Sequence, residues 1–179
     1  MKVDLKRYKI EKVVYDGERH PAISSVQLDA DNSVLVATDI GSMAVIPVSE
    51  MSFEDTAGLI PVEAIGLARK DQQKEDFAEI VANGRASVRV GGERADFDRP
   101  EWDGFPDWMP LFRWTKDKPL VSIRLSPKRL LALAEAVGNG SGVQLDVFGP
   151  TQSIRVIPLY GDGAKGILRP ITANDEDEA

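Results

Sequence analysis

Side chains that commonly carry catalysis are scarce in this sequence. It has no cysteine and one histidine, His20, which excludes a thiol nucleophile, disulfides and thiolate zinc sites and disfavours a Ser-His-Asp triad. Asp29, Asp31 and Asn32 resemble the start of a calcium loop, but the central glycine and the downstream glutamate of such loops are absent, so a hairpin turn explains them. No convincing acid pair indicates a hydrolase. The sequence therefore predicts a protein that is not an enzyme and uses no metal or other cofactor.

The charge balance limits the partners that the protein could bind. The chain has 179 residues, with 29 acidic and 22 basic side chains and a formal net charge of −7. Four of the acids stand together at 175–178, so the rest of the chain is nearly balanced. A histone-like nucleic-acid binder needs a net cationic surface, so the charge balance argues against that class of protein. No apolar run approaches the roughly 18 residues of a membrane helix, so the sequence predicts no membrane span. We expect a cytoplasmic protein with no membrane partner, whose cations act locally.

Apolar and polar residues alternate through most of the chain, and this period of two predicts strands. Turn-forming residues separate the predicted strands, which favours antiparallel meanders. The predicted strands are 8–15, 23–28, 34–38, 43–48, 78–82, 86–90, 94–97, 121–125, 143–148, 153–158 and 164–168.

Two segments have the features of helices. In 61–70, Pro61 stands at a first-turn position, and Val62 and Ile65 share one face. In the second segment, Ser126 is placed to cap a helix that begins with Pro127 and ends at Gly138. Its apolar stripe has helical spacing and consists of Leu130, Leu133, Ala134 and Val137.

These elements repeat as a unit of strand, helix and three strands, at 59–98 and again at 120–171. The N-terminal segment 3–48 supplies a similar set of strands without a recognisable helix. Between the repeats, the aromatic-rich segment 99–118 is predicted to be an ordered crossover packed on the body. The predicted domains are 1–112, with a reduced first unit, and 113–171, a half-domain, followed by a disordered acidic tail at 172–179.

Three segments resemble bacterial sliding clamps, the β subunits of DNA polymerase III. Ala37-Thr-Asp-Ile-Gly-Ser-Met-Ala44 resembles the family's Ala-Thr-Asp-Gly-x-x-Leu-Ala signature, and Gly104-Phe-Pro-Asp-Trp108 resembles its Gly-x-Phe-Pro-Asp-Tyr segment. The C-terminal strands, through Ile167-Leu-Arg-Pro-Ile171, resemble the family's closing strands and Met-Pro motif. The segments occur in the family's order and together span about three-quarters of the chain.

The resemblance implies a fold and an activity. The fold would be α+β and DNA-clamp-like, with repeated strand-helix-three-strand units forming antiparallel sheets and the two main helices on one face. The activity would be that of a non-catalytic processivity factor, a homo-oligomeric ring around duplex DNA that tethers a DNA polymerase or another clamp-binding protein. A ring in this family uses twelve units. A chain with three units would therefore need four copies to complete the ring, a chain with four degenerate units would need three copies, and a chain with two units would need six. The compact chain suggests a phage or mobile element.

The resemblance also implies two sets of site residues. In the family, helices line the central hole and direct cations toward phosphates without specific base contacts. The corresponding candidates for DNA binding here are Arg69, Lys70, Lys74, Lys128 and Arg129. Arg69 and Lys70 could equally offset the dipole at a helix C-terminus, whereas cations in a first turn are electrostatically unfavourable. The family's partner-peptide cleft would use Thr38, Gly41, Met43, Pro110, Leu168 and Pro170.

Alternatives remain for these residues and for the protein. The proposed cleft residues could simply be strand ends that close a core. The whole protein could be a clamp-fold interaction module that does not encircle DNA and binds a protein partner as a monomer or dimer. The short length, the few helix cations and the negative net charge favour this alternative.

Overall fold

The computed structural model describes residues 1–17, 20, 22–39, 41–72, 75–101, 104–110, 121–138, 142–159 and 164–171. The chain divides into two compact units, Met1–Leu111 and Phe112–Ala179, called unit 1 and unit 2 below. None of the helices within the described ranges is long and apolar enough to cross a membrane.

Unit 1 contains two successive sets of elements with the same order: a strand, a helical element and a three-stranded meander. The first set is β1 (Lys2–Val3), a 3-10 helix η1 (Ile10–Val13), β2 (Ser25–Asp29), β3 (Val34–Thr38) and β4 (Met43–Pro47). The second set is β5 (Gly58–Pro61), α1 (Val62–Asp71), β6 (Ala78–Asn83), β7 (Arg85–Val90) and β8 (Glu93–Asp98).

The two sets of unit 1 exchange their first strands. One antiparallel sheet has the order β4-β3-β2-β5, and the other has the order β1-β6-β7-β8. Val26 of β2 therefore pairs with Ile60 of β5, and Val3 of β1 pairs with Ala78 of β6. Each meander is completed by a strand of the other set, so neither set forms its four-stranded sheet alone.

The helical elements cover one face of these sheets and close a common core. α1 packs on β6 and β7, while η1 packs on β3 and β4. Leu28 and Leu35 from one sheet, Ile80 from the other and Ile65 from α1 are fully buried in a single cluster. Burial of side chains of this size contributes roughly 1.5–3 kcal/mol each, so the shared core explains why the two sets fold as one unit.

The prediction of a strand at 8–15 was wrong, because this segment contains η1. Ile10 is buried, and Val13 and Val14 pack against the same core. Their spacing of three and four residues suits a turn of helix as well as the alternation suits a strand. The missing helix of the first set is therefore present as the single 3-10 turn η1. A helical segment of only four residues is typical of a 3-10 helix rather than of a full α-helix.

Unit 2 contains one set without its mate. Its described elements are α2 (Pro127–Gly138), β9 (Val143–Asp146), β10 (Ile154–Pro158) and β11 (Gly166–Leu168). They form an antiparallel sheet of order β11-β10-β9, with Leu130 and Leu133 of α2 against a small core of Ile154, Val156 and Leu168.

The structure corrects the predicted strand at 121–125, which joins no sheet; the carbonyl of Arg124 instead accepts a hydrogen bond from the amide of Ile171 at 2.9 Å. The α+β class, with antiparallel sheets and two main helices, is confirmed. The predicted acidic tail at 172–179 lies outside the described residues.

Candidate functional site

The N-terminal segment and α1 form a continuous helical layer on unit 1. Arg69 Nη2 of α1 lies 2.9 Å from Glu11 Oε1 of η1. Gln72, which is buried at the end of α1, donates from Nε2 to Asp4 Oδ1 at 3.2 Å and accepts from the amide of Lys6 at 3.0 Å. These contacts hold the residues around η1 beside the C-terminal turns of α1.

The helical layer, defined by Lys6–Val13 and α1, carries exposed cations from both elements. Lys9, Lys12 and Lys70 are all exposed. Two further cations are partly engaged: Lys6 Nζ donates to the carbonyl of Glu75 at 2.9 Å, and the Arg7 guanidinium lies 5.2 Å from the centroid of the Tyr8 ring. Asp71 and Glu75 are exposed nearby and weaken the local positive potential.

The structure separates the predicted DNA-binding residues into three cases. Arg69 is partly buried in its ion pair with Glu11, so its charge is largely compensated within the fold. Lys70 is exposed on α1, and Lys128 and Arg129 are exposed in the first turn of α2. Lys74 lies outside the described residues.

Lys9 and Lys12 were not predicted as functional residues from the sequence. They flank and occupy η1, a segment that was predicted as a strand, so their place in a helical layer was not recognised. The signal that could have identified them is the apolar spacing of Ile10, Val13 and Val14, which also fits a helical turn.

Ser126 has a structural role at the start of α2, whereas the two cations of the first turn do not stabilise the helix. Ser126 Oγ accepts from the amide of Arg129 at 3.4 Å, which is the geometry of an N-cap. The side chains of Lys128 and Arg129 lie at the positive end of the helix dipole, where cations are unfavourable by about 0.3–1 kcal/mol each.

Three of the predicted cleft residues meet at one hairpin end in unit 1. Thr38 pairs with Met43 across β3 and β4, and Gly41 lies in the loop between them. The carboxylate of Asp39 orders this loop by accepting from the amide of Gly41 at 3.1 Å and from the amide and hydroxyl of Ser42 at 2.7 and 2.8 Å. These hydrogen bonds lower the pKa of Asp39, the side-chain bond from Ser42 having the largest effect.

Pro110 belongs to a segment that is anchored at the other end of the same sheet. Trp108, two residues earlier, donates from Nε1 to Asp29 Oδ2 at 3.0 Å. Burial would raise the pKa of Asp29, but hydrogen bonds from Asn32 and Trp108 outweigh it and lower the pKa. Asp29 pairs with Val34 at the start of β3, about 13 Å along the strand from Thr38.

The remaining predicted cleft residues, Leu168 and Pro170, lie in unit 2 and are both buried. Leu168 belongs to the core and pairs with Ile154. The outward-facing residue of β11 is Ile167, 73% exposed. Ile167 lines a cavity of about 560 Å³, whose other lining residues are Phe148, Ser153, Arg155, Lys165 and Gly166.

Arg155 organises one side of this cavity. Its guanidinium lies 5.6 Å from the centroid of the Phe148 ring and contacts Asp146 Oδ2 at 2.5 Å. Hydrogen bonds from Gln144 and Arg155 lower the pKa of Asp146. The cavity therefore combines exposed apolar side chains with a cation held in place by a carboxylate.

No group of three or more His, Asp or Glu side chains in the described ranges is placed to hold a metal ion. The acids with lowered pKa values accept hydrogen bonds in turns, strands and ion pairs, as Asp39 and Asp146 do.

Comparison with solved structures identifies the fold as that of bacterial sliding clamps. The chain is similar to the β sliding clamp of C. crescentus (TM-score 0.65, 16% identity, 95% of this chain and 50% of that one). It is also similar to DNA polymerase III subunit beta from Borrelia burgdorferi (TM-score 0.64, 16% identity, 97% and 48%) and to the DNA polymerase sliding clamp of Bacillus subtilis (TM-score 0.61, 17% identity, 90% and 44%).

The chain spans about half the length of these clamps. No protein-family model and no curated protein sequence matches it. The resemblance predicted from three short motifs is confirmed at the level of the fold, because TM-scores of 0.61–0.65 apply over 90–97% of the chain.

Proposed function

We propose that this protein is a non-catalytic, sliding-clamp-like processivity factor in the cytoplasm. It assembles as a homo-oligomeric ring around duplex DNA and tethers a DNA polymerase or another clamp-binding protein. The observation that carries the proposal is the sliding-clamp fold over 95% of the chain, combined with exposed cations on its helical elements.

The helical layer is the surface best suited to face the phosphate backbone. Lys9, Lys12 and Lys70 are exposed there, with flexible side chains that can follow phosphates without a fixed register. Weak, non-specific contacts of this kind allow sliding, and encirclement rather than affinity would retain the DNA.

Lys128 and Arg129 extend the same role to unit 2. Their position in the first turn of α2 costs helix stability, and phosphate contact gives a reason for that cost. Three helix-and-meander sets per chain would require four copies to supply the twelve sets of a clamp ring.

The partner-binding role is assigned to the cleft residues predicted from the sequence, taken separately in each unit, and in unit 2 also to the cavity lined by Phe148, Arg155 and Ile167. Phe148 and Ile167 offer exposed apolar surface, and Lys165 offers positive charge at the rim, where Arg155 is paired with Asp146. A short peptide with apolar and acidic side chains would complement this surface.

A clamp-fold interaction module that does not encircle DNA is the second candidate. The engagement of Arg69 by Glu11 favours it, because this pairing removes one cation from the surface available to DNA. The net charge of −7 favours it as well.

The two candidates differ in whether DNA retention depends on the ends of the DNA. The protein is incubated with a linear duplex biotinylated at both ends, the ends are then blocked with streptavidin, and retention is measured in a salt wash. A ring stays on the blocked duplex and slides off an open one. Equal retention on both duplexes would contradict encirclement and favour the interaction module.

A matched pair of triple variants tests the proposed surface. K9Q/K12Q/K70Q removes three cations from the helical layer and should shorten retention on the blocked duplex. R85Q/R89Q/R94Q removes the same charge from the outer face of β7 and β8, where Arg85 and Arg94 pair with Asp98 and Asp96. The second variant should retain DNA like the native protein.

A further inference from the structure

The first strand of one meander in unit 1 and the first strand of the meander in unit 2 carry an identical tetrapeptide. Val26-Gln-Leu-Asp29 lies in β2, and Val143-Gln-Leu-Asp146 forms β9. Both strands also pair with the next strand in the same way: Leu28 is opposite Leu35, and Leu145 is opposite Val156. β9 is therefore the structural equivalent of β2.

The same tetrapeptide is buried in unit 1 and exposed in unit 2. Leu28 is fully buried, whereas Leu145 is 37% exposed. The two strands also differ in their neighbours: β2 lies between β3 and β5, whereas β9 pairs with β10 alone among the described strands. An apolar strand with a vacant edge is a template for another strand.

Unit 2 also contains a segment that corresponds to β5 but joins no described sheet. Residues 121–125 precede α2 as β5 precedes α1, and they alternate Val121, Ile123 and Leu125 with polar residues. Leu59 and Arg124 both lie three residues before their helix. The carbonyl of Leu59 accepts a hydrogen bond from Arg99 Nε at 2.8 Å, and the carbonyl of Arg124 accepts one from the amide of Ile171 at 2.9 Å. In both cases the donor residue follows the last strand of its set.

The apolar surface of unit 2 has the distribution expected of half a domain. Ile65 and Ala68 of α1 are fully buried, but Leu130 and Leu133, at the same positions of α2, are only partly buried. Exposed large hydrophobic side chains in the described ranges number seven in unit 2 and four in the larger unit 1.

We propose that unit 2 is completed by unit 2 of a second copy of this chain. Each copy inserts residues 121–125 beside β9 of the other, as β5 lies beside β2 within unit 1. One two-fold contact then fills both vacant edges and uses both copies of the segment, which is the self-complementarity that an isologous interface requires. The inference deepens the proposed homo-oligomer by naming its interface, and it rests on that assembly but not on DNA contact.

The arrangement in unit 1 fixes the register of this interface. Leu59 pairs with Gln27, so the equivalent Arg124 of one copy lies opposite Gln144 of the other. Arg124 then stands diagonally from Asp146, which gives the outer face complementary charges. The inner face places Ile123 opposite Leu145 and Leu125 opposite Val143.

A cysteine pair tests the register directly, because the chain has no cysteine of its own. Under mild oxidation without DNA, R124C/Q144C should form a disulfide-linked dimer that reductant converts to monomer, since directly opposite residues lie within disulfide range. R124C/Q152C, which places the second thiol outside β9, should give little cross-linked dimer. A monomer with an internal disulfide, or free thiols at all concentrations, would overturn the proposal.

A proline variant tests the backbone pairing. Because the carbonyl of Arg124 faces Ile171, the amide of Ile123 faces the opposite side and would donate to β9. I123P should weaken dimerisation about tenfold or more relative to I123A, which keeps the amide, with both measured by light scattering over a wide concentration range.

Equal oligomer mass for I123P and I123A would contradict the interface while leaving DNA encirclement open. The reverse result, a cross-linked dimer that is not retained on end-blocked DNA, would support the interface and contradict the proposed function. The two proposals therefore fail separately.

Discussion

Arg69 Nη2 lies 2.9 Å from Glu11 Oε1, and this ion pair joins the helical elements of the two sets in unit 1. The side chain of Glu11 is only 11% exposed, whereas that of Arg69 is about one-third exposed. An exposed ion pair contributes little to stability, but a carboxylate that is mostly buried loses its compensation when its partner is removed. The pair therefore contributes to the stability of unit 1.

We expect Arg69→Gln to reduce the free energy of unfolding by about 1–2 kcal/mol, because it leaves Glu11 mostly buried without its cation. The measurement is urea denaturation. The midpoint should fall, while the dependence of the unfolding free energy on urea concentration should stay unchanged. Lys70→Gln is the control: it removes the same charge from an exposed neighbour and should change stability by less than about 0.5 kcal/mol. Equal midpoints for the two variants would assign no structural role to the pair.

Two glycines should respond in opposite directions to alanine. Gly58 has φ +137°, and a Cβ there would lie 2.5 Å from Arg99 Nη2, so Gly58→Ala should cost about 1–3 kcal/mol. Gly66 is in α1, and a Cβ added there would meet no neighbouring atom within 4 Å, so Gly66→Ala should stabilise unit 1 by up to about 1 kcal/mol. Thermal unfolding of both variants compares the signs, and a stabilising Gly58→Ala would refute the first expectation.

Asp55 should make the stability of unit 1 depend on pH in the acid range. Burial would raise the pKa of this fully buried carboxylate, but hydrogen bonds from the Ala82 amide, the N-terminal ammonium and the Ser52 amide outweigh it, so the pKa lies below its ordinary value. Its contribution is therefore present above the unfolded-state pKa of about 4 and is lost as the pH falls through the lower folded-state pKa.

Asp55→Asn should reduce stability by about 2–3 kcal/mol at neutral pH and flatten the acid limb of the stability curve. Denaturation midpoints across the acid range, compared with those of the native protein, provide the measurement. Asp31→Asn changes an exposed carboxylate and should leave the curve in place. A parallel shift of the Asp55→Asn curve at every pH would show that the carboxylate does not titrate with folding.

Reversing the two cations at the start of α2 should reduce DNA retention without affecting assembly. In K128E/R129E, acidic side chains at the helix N-terminus would favour the helix dipole but repel phosphates. We expect the variant to be lost faster from the end-blocked duplex. Its native oligomer mass should be unchanged, and its unfolding midpoint should be unchanged or slightly raised. Retention equal to that of the native protein would remove Lys128 and Arg129 from the DNA-facing surface.

The strands and helices that follow a strong local period could be predicted from the sequence. The β2–β3–β4 meander and both α-helices lie within a few residues of their predicted bounds. Two apolar segments with the same alternation could not be assigned correctly. Ile10 and Val13 form a helical turn because the core lies on one side of them. Residues 121–125 pair with none of the described strands, and strand pairing is a long-range contact that local alternation does not specify.

The candidate site was predicted less completely than the fold. Periodicity placed Lys128 and Arg129 on a helix, but it could not show that Glu11 engages Arg69, because that contact joins residues 58 positions apart. The same limit applies to the cleft: the motif selected Leu168, while the pairing register turns Leu168 into the core and Ile167 outward.

The exchange of first strands in unit 1 has a consequence for how the chain folds during synthesis. β1 is synthesised before the other described elements of unit 1, yet its partner β6 begins 75 residues after β1 ends, so the contact order of this pairing is high. The β2–β3–β4 meander can form as it emerges from the ribosome, but β1 has no partner until most of unit 1 has been translated. Closure of that long loop is therefore a late step in folding. Until it occurs, the edge of β6 that pairs with β1 is unpaired and could pair with a strand of another chain, which would lead to aggregation.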